Sequence, residues 1–150
     1  MEPDERQRLK TVESARQKEN RWAWWMKVMT PVCQDNVKRI DAAGGIMALG
    51  TDQSSGPAAH RELELIVGGG VPPLNAIRIA TLNAARFLGR ERDLGSVEEG
   101  KVADLVLLDA DPLADIDNAK RVNLVIKNGE IIDRGKLDLP VNRKVAPSAH

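Results

Sequence analysis

The spacing of apolar residues divides the chain into elements before any chemistry is considered. Trp22, Trp25, Met29 and Cys33 share one face at helical spacing, and Cys33, Val37 and Ile40 continue it. Residues 1 to 21 are mostly charged and polar but are good helix formers, so they run unbroken into the tryptophan cluster. Thr30-Pro31 reads as a restart, because threonine can cap a helix and proline is tolerated in a first turn. A second helix is therefore expected from Pro31 to about Ala43, with Cys33, Val37 and Ile40 facing inward and Gly44-Gly45 ending it. Ile46-Met47-Ala48-Leu49 has no polar position, which suits a short strand buried on both faces. Gly50 to Pro57 is rich in turn formers and reads as a loop. Helical spacing resumes from His60 to Val67 and stops at Gly68-Gly69-Gly70. Pro73 to Ile79 and Asn83 to Leu88 make two further helices with a break near Thr81.

From Leu94 the texture changes to short strands. Val102 to Leu108 and Val122 to Lys127 are β-rich, and Asn128-Gly129 joins the second to Glu130-Ile131-Ile132 as a tight hairpin. From Leu139 onward no periodicity remains, and a frayed tail is expected. The chain thus divides into α/β material over residues 1–90, a β-structured segment over 91–138 and a tail over 139–150.

Composition narrows the function. With 22 basic and 22 acidic residues the net charge is zero, so no field favours phosphate backbones, and nucleic-acid binding is not expected. The apolar runs are too short for a membrane helix, and the tryptophan cluster reads as core packing rather than as a membrane anchor. The first ten residues are too charged for a secretory signal, which leaves a cytoplasmic location as the expectation. The single cysteine, Cys33, lies among apolar residues at helical spacing, so a buried thiol is expected over a reactive one.

Gly50-Thr51-Asp52 sets a carboxylate just after the expected strand, at the end that carries the chemistry in α/β barrels. Alone, such an aspartate is more often a turn former or helix cap. The ordered set Ala43-Gly44-Gly45-Ile46-Met47-Ala48-Leu49-Gly50-Thr51-Asp52, His60-Arg61-Glu62-Leu63, Ala80 to Ala85, Leu94 to Val106, Asp111-Pro112-Leu113 and Val125 to Gly129 changes that. Over roughly residues 25 to 135 it resembles the C-terminal region of the metal-dependent amidohydrolase superfamily, in particular its imidazolonepropionase-like and prolidase-like members.

The resemblance implies an α/β fold: the C-terminal portion of a (β/α)8 TIM barrel, with Ile46 to Leu49 as strand eight, plus part of a small β-sandwich. It also implies a hydrolase of carbon–nitrogen bonds in amides, cyclic amides or dipeptides. Asp52 would be both metal ligand and catalytic base, taking a proton from activated water and passing it to the leaving nitrogen. The implied cofactor is a divalent metal, zinc, with one or two ions in the complete family enzyme. His60 would face the substrate; the alternative is a helix-start residue packed locally. Thr51, Ser54 and Ser55 could orient Asp52 or simply shape the loop, while Glu62 and Glu64 are expected to face water. The glycines and Asp104 of the Leu94 to Val106 motif read as turn chemistry. The family's His-x-His pair and later histidines have no counterpart, since His60 and His150 are the sole histidines. An incomplete barrel, inactive alone, is therefore expected, its partner being a missing barrel half or further copies of itself. A non-catalytic association module derived from an amidohydrolase is the other reading.

Overall fold

The computed structural model describes residues 3–52 and 56–136, with the side chains of residues 3–20, Trp22 and Arg134 outside the description. One helix, α1 (Pro3–Ala42), replaces the two expected, and Pro31 lies inside it. Proline already has a helical φ and removes one amide donor, whereas an end and a restart would orphan about four amides and four carbonyls. The expected restart at Thr30 is therefore not made. The covered face is also rotated from the one expected: Val37 is partly buried as expected, but with Gln34 and Asp41, whereas Cys33 and Ile40 are exposed. Gln34 sets this face, because its Nε2 donates to the carbonyl of Leu65 at 2.7 Å. Trp24 and Trp25 are 62% and 49% exposed, so the core packing expected of the cluster is not found at these two residues. The glycine stop holds. Gly44 has φ +73°, its N–H donates to Asp41 O, and Gly45 N–H donates to Ile40 O, both at 2.9 Å.

Residues 46–49 do not form the expected strand. Met47 and Leu49 pack on the core, while Ile46, 68% exposed, and Ala48 face away. Covering every second side chain is the habit of extended chain, but a strand also needs a ladder partner, and none stands beside this one among the described residues.

Three helices follow: α2 (Gly56–Gly68), α3 (Pro73–Ala80) and α4 (Leu82–Phe87), the last two separated at Thr81 as expected. Val71, Ala76 and Ile79 form the fully buried centre, ringed by Val37, Met47, Leu49, Leu63, Ile66 and Val67. Burying Val71 and Ile79 contributes about 2 kcal/mol each. The turn after α2 lets it approach α1 closely: a Cβ on Gly69 would lie 2.8 Å from Gln34 Cβ.

The C-terminal part is a three-stranded antiparallel sheet, β1 (Leu105–Leu108), β2 (Val122–Lys127) and β3 (Glu130–Ile131), in the order β1-β2-β3. The hairpin falls at Asn128-Gly129, with φ +52° and +83°. β1 starts later than Val102 because the residues before it serve the hairpin. Asp104 accepts from Lys127 Nζ and, at 2.7 Å, from the Asn128 N–H, and Ala103 O accepts from the Gly129 N–H at 3.0 Å. Asp104 thus serves a turn, but that of the distant hairpin and not the entry to the sheet where it was expected to act. In the same motif, Lys101 Nζ donates to Glu91 O at 2.7 Å and Ser96 Oγ at 2.5 Å, tying the loop that joins the helices to the sheet.

Candidate active site

Asp52 lies past the unpaired segment 46–49 and four residues before α2, with an exposed side chain. Leu49 N–H donates to Ile79 O at 3.3 Å, which fixes the segment to the end of α3 and so fixes where Asp52 emerges. Thr51 beside it is also exposed, while Ser54 and Ser55 lie outside the described residues.

His60 sits in the second turn of α2 and is partly buried, and its Nδ1 is enclosed without a hydrogen-bond partner. It lines a cleft of about 510 Å3 with Gly56, Pro57, Arg61, Glu64 and Lys120. Asp52 does not line this cleft. Asp52, ahead of α2, and His60, within it, therefore do not line the same cleft.

The cleft's charges are tied to each other. Glu64 accepts from Arg61 Nη1 at 2.8 Å and from Lys120 Nζ, and Lys120 also meets Asp117 at 2.9 Å. Those donors, Lys120 before Arg61, hold the Glu64 carboxyl far below its ordinary 4.5, at about 2, and the same pairing raises Lys120 above its ordinary 10.5. Glu64 does not stand free in water as its place in the sequence suggested. It ties α2 to the short helical turn Ile116–Lys120 that leads into β2. Lys120 was not singled out in the sequence, because its one local cue, Asp117 three residues earlier, reads as an ordinary surface pair.

Among the described residues no group of three or more His, Cys, Asp or Glu side chains could hold a metal ion. Catalytic zinc takes about three protein ligands. The described residues by themselves therefore do not fit the metal that the resemblance implies. No helix among the described residues is long and apolar enough to cross a membrane.

The chain belongs to the amidohydrolase family, whose model matches residues 27–132. It is 34% identical over 108 residues to imidazolonepropionase from Shouchella clausii (strain KSM-K16), covering 67% of this chain and 24% of that protein. It is 40% identical over 94 residues to ochratoxinase from Aspergillus niger, covering 59% and 20%. A crystal structure of a Xaa-Pro dipeptidase with bound methionine superposes with a TM-score of 0.61 at 34% identity, covering 66% of this chain and 25% of that one. The chain thus spans about a quarter of the length of the relatives it matches.

Proposed function

We propose that this chain contributes the eighth strand and the carboxylate Asp52 to the active site of a hydrolase of carbon–nitrogen bonds. Residues 46–49 would be that strand, the helices around them part of a (β/α)8 barrel, and the sheet part of a small β-sandwich. The observation that carries the reading is the position of Asp52, directly after a segment whose alternate residues pack on the core, inside the stretch that matches the family. An exposed carboxylate so placed can accept a proton from an attacking water and return it to the leaving nitrogen. His60, in the second turn of α2, would contact the substrate, which is a small amide, a cyclic amide or a dipeptide.

Metal dependence, with zinc as the ion, belongs to this proposal as the family's habit. The donors it needs beyond Asp52 must come from polypeptide other than these residues. Activity of the chain by itself is not expected. The competing reading, a non-catalytic association module, draws on the exposure of Trp24 and Trp25.

The test is Asp52→Asn in the enzyme assembled with the remainder of a barrel. It should reduce hydrolysis by about a hundredfold or more, the size expected for a general base, without changing thermal unfolding. Hydrolysis at the parental rate would remove Asp52 from the chemistry.

A further inference from the structure

Arg78 and Arg86 stand in one cavity without an acidic partner among the described residues. The cavity, of about 320 Å3, lies where the end of α1 meets α3 and α4, and its lining includes Asp41, Gly45, Ile46 and Leu82 beside the two arginines. Neither Asp52 nor His60 lines it. Its shape follows from local causes. The glycine stop turns the chain at the end of α1, and Asn75 Nδ2 donates to Asp41 Oδ2 at 2.9 Å, which holds α3 against that end. α3 and α4 separate at Thr81, and one arginine from each reaches the cavity. Elsewhere Arg39, Arg61 and Arg90 each hold a carboxylate, at 2.8, 2.8 and 3.0 Å. Arg86 by contrast meets only Asn83 Oδ1, at 3.5 Å, and Arg78 nothing among the described residues.

The charges of the cavity come from two directions. Arg78 and Arg86 bring positive charge from α3 and α4. Asp41 keeps one carboxylate oxygen outside its bond with Asn75, and it belongs to the last turn of α1, the negative end of a helix. A plain anion would gain the guanidinium groups but face that carboxylate, and a plain cation would face two uncompensated arginines. A ligand that carries both charges satisfies both. Guanidinium groups take a carboxylate through paired hydrogen bonds, and a carboxylate takes an ammonium through a charge-assisted one. Ile46, 68% exposed, and Leu82 add apolar surface to the lining. The volume stands at the lower limit of small-molecule pockets, which suits one small ligand. We infer that this cavity binds a free α-amino acid with an apolar side chain. Its carboxylate meets Arg78 and Arg86, its ammonium meets Asp41, and its side chain lies against Ile46 and Leu82. Nothing in this assignment rests on the hydrolase reading.

The probe is L-leucine, titrated into the full chain while amide signals are followed by NMR. Saturable shifts are expected at Gly44, Gly45, Ile46 and Arg78. Isocaproate, which is leucine without the ammonium, and isoamylamine, which is leucine without the carboxylate, should each bind at least about tenfold more weakly, the loss of one charged hydrogen-bonded contact. Inorganic phosphate should be weaker than leucine by the same margin. Arg78→Gln and Asp41→Asn should each weaken leucine at least about tenfold as well. Arg78 has no contact among the described residues to lose, and asparagine at 41 keeps an oxygen for Asn75, so both variants should unfold at the parental temperature. Any of these results would overturn the assignment: no saturable shift with leucine, an affinity for isocaproate, isoamylamine or phosphate that equals leucine's, or undiminished leucine binding by either variant. The ligand series needs only the parent chain, so it decides the outcome even where a variant fails to fold.

Discussion

Glu64 is the residue whose chemistry the structure changes most. Its carboxylate is held at about 2, against an ordinary 4.5, chiefly by Lys120 and then by Arg61. A carboxyl that is lowered by folding stabilises the folded state above its unfolded value, and that contribution is lost as pH falls through the folded value. The Glu64 contribution should therefore be complete above about pH 4.5 and decline between 4.5 and about 2. Urea unfolding of the parent and Glu64→Gln across this range checks it. The gap between the two should be constant above the window and close within it; a gap that persists unchanged at pH 2 would deny the ion pair its role. Neither partner is deeply buried, with side-chain exposures of 48% for Lys120 and 21% for Glu64, so added salt should narrow the gap as well. At this scale the sequence was legible where cause and effect are local. Asp104 was readable as a turn former from its motif, but the turn it serves, at Lys127 and Asn128, is as non-local as the Glu64 partnership, and neither partner left a local signature.

Among the elements, the close approach of α1 to the end of α2 depends on one glycine. A Cβ at Gly69 would stand 2.8 Å from Gln34 Cβ and 3.3 Å from its Cα, so Gly69→Ala must push the helices apart and strain the Gln34 to Leu65 hydrogen bond. A loss of about 1–3 kcal/mol is expected, the range for overpacking a fitted contact. Gly68→Ala is the control, since its Cβ would meet only Gln34 Nε2 at 3.7 Å, an ordinary contact, and alanine suits a helix better than glycine. Denaturant midpoints should fall for the first and hold or rise for the second; equal midpoints would show that the close approach does not matter. Helix stops, the break at Thr81 and the Asn128-Gly129 hairpin were all legible, because each rests on the backbone preference of one or two residues. The face of α1 was not. Apolar spacing pointed to Cys33, Val37 and Ile40, but tertiary contact kept only Val37 and added Gln34 and Asp41, and the Thr30-Pro31 signal gave way to the continuity of the helix. The strand at 46–49 failed for a different reason: apolar composition marks a segment as fit for a sheet, and only neighbouring strands make it one.

For the whole molecule, the buried residues lie on one side of a division. Val71, Ala76, Ile79 and Ala85 are the fully buried hydrophobics of the described residues, and all belong to the helical part; β1, β2 and β3 contribute none. A small sheet without a buried face is at most marginally stable by itself. Among the described residues, two contacts stand out as links to the helices. Lys120 binds Glu64 of α2, and Gly95 fits against α4 so closely that a Cβ there would lie 2.7 Å from Leu82 Cα. If the sheet borrows its stability through those links, damage to the helical core must be felt in the strands. Ile79→Ala, at a side chain only 2% exposed, should cost about 3 kcal/mol through lost burial and the cavity left behind. Heating should then melt the helical circular dichroism and the amide signals of Leu124 and Ile126 in one transition, shifted to lower temperature in the variant by the same amount for both probes. A sheet signal that outlasts the helices, or one that keeps its parental midpoint in Ile79→Ala, would mean that the strands fold on their own and that the Glu64 and Gly95 contacts tether two independent units.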